Sequence, residues 1–293
     1  MRHLVRVVAP SSTSAYLPHF AAEALGFFAD EGLSIQMKDL GRGAGTISAL
    51  RSGEADIALG GIWRPVMYRE HDEHLVSFAQ LCGRCPMAVV SRNDHDLLDL
   101  ATTARRPIVL IPDGSPSLWL LLRWILRELG AEDNSVRVIH LNAHEASSMF
   151  VAGSGDFYLA EPPTLETFEA QGYRTVLDLA RVGGRLPWSV YFSTDEFVRE
   201  NASVIRSFSR AIERGMDWIR PTRLSDATDV LLRKRPGSSR SVLAASISSC
   251  LSRSIWSGTR IEEESLERWQ HMLVDGGLLS REQPYANLVR IVD

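Results

Sequence analysis

The chain has 293 residues, 45% of them hydrophobic and 23% charged, with 32 Lys+Arg against 36 Asp+Glu for a net charge of −4. Its length sits at the limit of a single hydrophobic core, about 250–300 residues, so two lobes are expected. Near-neutral charge without a basic face or tail speaks against a nucleic-acid partner, and the longest strongly apolar run, Leu118–Leu122, falls far short of the roughly 20 residues that span a membrane.

The opening MRHLVRVVAPSS is too short and too charged for a secretory signal. The protein is therefore expected either to be cytoplasmic, if the chain is complete as given, or periplasmic or extracellular, if a leader has been removed. From there, apolar strand-like runs alternate with helix-like ones. A strand over Leu4–Ala9 precedes a helix over Pro18–Asp30. A strand over Ser34–Leu40 precedes a helix over Gly45–Arg51. Strands over Asp56–Gly60, Leu75–Leu81, Met87–Ser91 and Pro107–Ile111 lead to a helix over Pro116–Leu129. Ser115 can cap that helix, Pro116 suits its first position and Gly130 stops it. Strands over Val136–His140, Phe157–Ala160, Tyr173–Asp178 and Ser189–Ser193 complete the alternating part, which predicts α/β architecture with mostly parallel sheets. The remainder reads as helical: Ala202–Ile219, Ser238–Leu251 and Glu262–Val274.

The segments ALRSGEADIALGG and MFVAGSGDFYLAEP each close a strand–loop–helix–strand unit. Either all α/β units look alike at this level, or two similarly built lobes face each other.

Several chemistries are disfavoured. Gly41-Arg42-Gly43-Ala44-Gly45-Thr46 follows a strand and opens a helix, but Thr46 replaces the third glycine of a dinucleotide loop and no Gly-Lys-Ser/Thr is present. A smaller anion suits such amides better, and no cofactor is expected. Gly114–Ser117 and Gly153–Gly155 lack the spacing of a nucleophile elbow. His71-Asp72-Glu73-His74, His140 with His144, and Cys82-Gly83-Arg84-Cys85 fall short of the four ligands of a structural zinc site, so no metal is expected. Three cysteines, with Cys250 the last, make no disulfide framework.

Arginine and aromatic placement stands out. Ligands of open α/β sheets bind at the carboxyl ends of strands, and Arg42, Arg64 and Arg84 each follow a predicted strand, with Tyr16 and Trp63 beside them. Guanidinium forks match carboxylate, sulfonate or phosphate oxygens, and aromatic faces stack on flat rings.

AYLPHFAAEALGFFADEGL at Ala15–Leu33 and GRGAGTISALRSGEADIALGG at Gly41–Gly61 resemble the signature of the NMT1/THI5-like solute-binding proteins. That group contains ABC-importer receptors for nitrate, aliphatic sulfonates, taurine and thiamine pyrimidine precursors. DGSPSLWLLLRWILRELG, LAEPP and FVRENASVIRSFSRAIERGMDWI follow in order, so the resemblance covers nearly the whole chain. It implies a two-lobed periplasmic-binding-protein fold with a helical C-terminal tail. Lobe one would be 1–87 plus 190–293 and lobe two 88–189, with the ligand in a cleft that closes on binding. It also implies ligand contacts from Ser11, Ser12, Ser14 and Tyr16, from Arg42, Gly43, Ala44, Gly45 and Thr46, and from Gly61, Trp63, Arg64 and Arg84. Ser115 and Ser117, Asn142, Glu161 and Trp188 complete the candidate set. A small organic anion would then be delivered to an ABC permease and ATPase. The same fold also hosts enzymes for thiamine-pyrimidine synthesis, desulfination and lyase chemistry. A cytosolic enzyme acting on a small aromatic acid is therefore the alternative, although no nucleophile–base pair is visible and the loop after the first strand carries no cysteine.

Overall fold

A computed structural model describes residues 2–10, 13–41, 45–69, 74–93, 97, 106–112, 116–235 and 237–292. The chain divides into two compact units, one of Met1–Arg84 with Arg185–Asp293 and one of Cys85–Gly184.

The first unit is built on five strands: β1 (His3–Ala9), β2 (Leu33–Asp39), β3 (Ile57–Gly61), β4 (Leu75–Cys82) and β10 (Ser189–Thr194), in the order β2-β1-β3-β10-β4. The second holds β5 (Ala88–Ser91), β6 (Ile108–Pro112), β7 (Arg137–Leu141), β8 (Phe157–Ala160) and β9 (Arg174–Asp178), in the order β7-β6-β8-β5-β9. Every strand end lies within one residue of its sequence-based position. Strand direction is less uniform than the alternation suggests. β1 pairs in parallel with β2 and β3, and β6 with β7 and β8. β10 is antiparallel to both β3 and β4, and β5 to both β8 and β9. The reason is local. β5 and β10 are the first strands after the chain changes unit. Each starts beside the carboxyl ends of its neighbours, Ala88 opposite Ala160 and Ser189 opposite Gly61, so it must run back against them.

The single helix expected over Pro18–Asp30 is two, Leu17–Ala24 and Phe27–Asp30. Gly26 breaks it with φ +78°, a left-handed conformation natural to glycine. Helix Ala202–Ile219 lies across Leu17–Ala24 so closely that a Cβ built on Gly215 would stand 2.3 Å from the Pro18 carbonyl oxygen.

Under that crossing sits a fully buried histidine. His19 lies among Phe20, Phe28, Tyr191 and Phe208, with its Nδ1 3.0 Å from the Tyr191 hydroxyl and its Nε2 without a hydrogen-bond partner among the described residues. Burial, reinforced by Lys234, lowers its pKa from 6.5 to about 3, so the ring is neutral in the folded protein at neutral pH. Below pH 6.5 the unfolded chain takes up a proton that the folded chain refuses, so stability falls with pH down to about 3. The slope from this one group reaches about 1.4 kcal/mol per pH unit. Urea unfolding at a series of pH values between 7 and 4.5 should show a shallower decline for His19→Phe than for the wild type. Parallel profiles would contradict this account.

In the second unit, Val90, Leu110, Ala146, Phe150, Tyr158, Leu165 and Phe168 form a buried core cluster. Arg92 ties the end of helix Ala143–Val151 to the connection that follows it, donating to the carbonyls of Phe150 at 2.9 Å and Gly155 at 2.6 Å.

Candidate functional site

Four strands of the first sheet share one direction and β10 opposes them, so Ala9, Asp39, Gly61, Cys82 and the start of β10 at Ser189 gather along one edge. The sequence places the candidate residues in the connections that leave this edge. After β1, Ser14–Tyr16 makes a buried turn, and Thr13 Oγ1 accepts from the Ala15 amide at 3.3 Å. After β2, Gly45 precedes helix Thr46–Arg51, and after β3, Gly61 leads into helix Trp63–Tyr68. Trp188 immediately precedes β10, and its carbonyl accepts from the Ile62 amide at 3.2 Å.

Between the two helices lies a pocket of about 130 Å³ lined by Gly45, Thr46, Ile47, Ser48, Arg51, Arg64 and Tyr68. Two of its polar groups are unsatisfied. Thr46 is fully buried, and neither its Oγ1 nor the buried Nε of Arg64 has a hydrogen-bond partner among the described residues. The Arg64 stem runs over β3, where a Cβ on Gly60 would lie 3.6 Å from Arg64 Cδ, and its guanidinium stacks 4.6 Å from the Trp63 ring centroid. Burial lowers the Arg64 pKa while Tyr16 and Tyr68 act to raise it. An arginine stays protonated in such surroundings, so the pocket holds a fixed positive charge with a donor to spare. Leaving donors buried and unmet costs roughly 1–3 kcal/mol each, more for a charged group.

Ser14, Tyr16, Gly45, Thr46, Gly61, Trp63, Arg64, Arg84 and Trp188 thus belong to one edge of one sheet. Arg64 and Arg84 are not on neighbouring strands, because β10 lies between β3 and β4. Ser117, Asn142 and Glu161 belong to the second unit, following β6, β7 and β8. Asn142 has a local task there: its Oδ1 accepts from the Glu145 amide at 2.9 Å and caps helix Ala143–Val151. Ser11, Ser12, Arg42, Gly43, Ala44 and Ser115 lie outside the described residues, as do His71, Asp72 and Glu73.

Strand-end reasoning missed Ile47, Ser48, Arg51 and Tyr68. Helical spacing signals one of them, since Tyr68 sits four residues after Arg64, the separation that puts side chains on one face. Cys82 and Cys85 are both buried. Burial pushes the Cys82 thiol up to about 12, and its Sγ lies 3.5 Å from the Ala15 carbonyl oxygen. A thiol so far from ionising is no nucleophile. Among the described residues, no three His, Cys, Asp or Glu side chains gather as a metal site would require, and no helix is long and apolar enough to cross a membrane.

The family profile described as NMT1/THI5 like matches residues 13–222, from the turn before Tyr16 to beyond helix Ala202–Ile219. The chain belongs to the NMT1/THI5-like family. A protein of Bacillus subtilis (strain 168), YtlA, named provisionally as a binding protein, is 22% identical over 292 residues, covering 97% of this chain and 87% of its own. The ligand-binding component of an ABC-type import system from Staphylococcus aureus superposes with a TM-score of 0.80 at 13% identity, over 99% of this chain and 97% of that one. The periplasmic aliphatic sulphonate binding protein SsuA of Escherichia coli gives 0.77 at 17% identity, over 100% and 94%. This NMT1/THI5-like chain therefore has the periplasmic-binding-protein fold, two five-stranded mixed sheets flanked by helices with a helical C-terminal region. Of these proteins, the one from Staphylococcus aureus is a component of an ABC-type import system and the one from Escherichia coli binds aliphatic sulphonates.

Proposed function

We propose that this chain is the solute-binding component of an ABC importer, working in the periplasm or outside the cell, and that its solute is a small organic anion: a sulfonate, an aromatic carboxylate or a heterocyclic precursor. The observation that carries this reading is that Arg64 and Thr46, which line one small pocket, hold a buried Nε and a buried Oγ1 with no hydrogen-bond partner among the described residues. Both groups donate, one carries a charge, and the pocket is the size of a head group. The permease and ATPase of an importer are the implied partners.

A melting screen of sulfonates, benzoate-type acids and pyrimidines tests it. Ligand at 100 times its dissociation constant stabilises the folded state by about 2.7 kcal/mol, so a true solute should raise the melting temperature by several degrees and be recovered unchanged. Conversion of a stabilising compound at catalytic rates would instead favour an enzyme on the same fold.

A further inference from the structure

We infer that the solute carries a flat ring and that Trp63 and Trp188 select for it. This rests on the anion reading above and names the solute class within it. The pocket of about 130 Å³ is small beside the 300–1,000 Å³ of sites that enclose whole organic ligands. It has room for a head group, and the rest of the solute must lie along the sheet edge outside it. The residue next to Arg64 on that edge is Trp63, whose ring already carries the guanidinium at 4.6 Å. The next strand along contributes Trp188, joined to the Trp63 turn through the bond from the Ile62 amide to its carbonyl oxygen.

Both indoles are half-buried and both are braced. A Cβ on Gly61 would stand 2.5 Å from Trp63 Nε1, so the indole occupies space that only a glycine leaves free. Trp188 packs on Trp269 with ring centroids 5.6 Å apart and planes at 33°, and Trp269 is 1% exposed. Aromatic surfaces fixed before the solute arrives lose little side-chain freedom on binding. An alkyl tail would gain only the burial of its area. A flat ring would gain that burial together with offset or edge-to-face stacking, roughly three- to tenfold in affinity.

Calorimetric titration with two matched pairs of probes tests this: benzenesulfonate against cyclohexanesulfonate, and benzoate against cyclohexanecarboxylate. The flat member of at least one pair should bind about tenfold more tightly. Trp63→Leu and Trp188→Leu should each weaken the flat member more than the saturated one and so reduce that ratio. The wild-type ratio decides even if a variant does not fold. Equal binding of flat and saturated rings overturns the selection and leaves the anion reading standing, as does a ratio that survives both substitutions. Failure of all four probes to bind overturns the selection, and the anion reading falls with it when the melting screen of sulfonates, acids and pyrimidines is also empty.

Discussion

Replacing Gly215 with alanine is expected to lower the stability of the protein by about 1–3 kcal/mol, the usual range for forcing an extra methyl group into a packed interior. Helix propensity alone gives the opposite sign, since alanine inside a helix is better than glycine by about 1 kcal/mol. Position 215 is decided by contact. The new Cβ would meet the Pro18 carbonyl oxygen at 2.3 Å and Ala22 Cβ at 3.3 Å. The first of these is backbone, which cannot rotate aside as the end of a flexible side chain would. Helix Ala202–Ile219 must therefore lift from Leu17–Ala24, and with it Phe208, which packs edge-on to Tyr191 at 4.9 Å. Gly237 is the control, because a Cβ there meets nothing within 4 Å, and Gly237→Ala should be neutral or slightly stabilising. Urea unfolding of the two variants beside the wild type checks the pair. A Gly215→Ala protein as stable as the wild type would show that the two helices are not in the contact described.

The contrast between those two glycines shows where sequence reading stops. Strand positions were legible because apolar runs bounded by turn residues mark them directly, as Phe157–Ala160 does between Asp156 and the Glu161-Pro162-Pro163 stretch. The reversal of β5 and β10 was not, because direction depends on where the chain re-enters a sheet and not on the residues of the strand. His19 was passed over for a similar reason. Its partner Tyr191 is 172 residues away, and nothing near position 19 announces a buried imidazole. The rule that ligands meet strand ends brought Tyr16, Trp63 and Arg64 to one edge. It could not tell which side chains turn from that edge into the pocket between the two short helices, and so it found Arg64 and missed Tyr68 one turn later.

Arg64→Ala is expected to weaken binding of the anionic solute by about 10- to 100-fold, since a hydrogen bond to a charged group contributes roughly 1.5–3 kcal/mol. Arg64→Lys should also lose affinity, because an ammonium cannot reproduce the planar fork. Thr46→Val, which keeps the shape and removes the hydroxyl, should show a smaller loss. Stability of the solute-free protein should move the other way. Arg64 there holds a buried Nε with no hydrogen-bond partner among the described residues, and replacing such a group by an apolar side chain of similar length is often neutral or stabilising. Arg64→Met should therefore melt at or above the wild-type temperature without solute and gain little when solute is added. A residue kept only for packing would lose stability and leave affinity alone. Melting curves and calorimetric titrations on the same preparations separate the two patterns. If Arg64→Ala, Arg84→Ala and Thr46→Val all bind within twofold of wild type, the solute is neutral and rests on Tyr16, Trp63 and backbone groups instead.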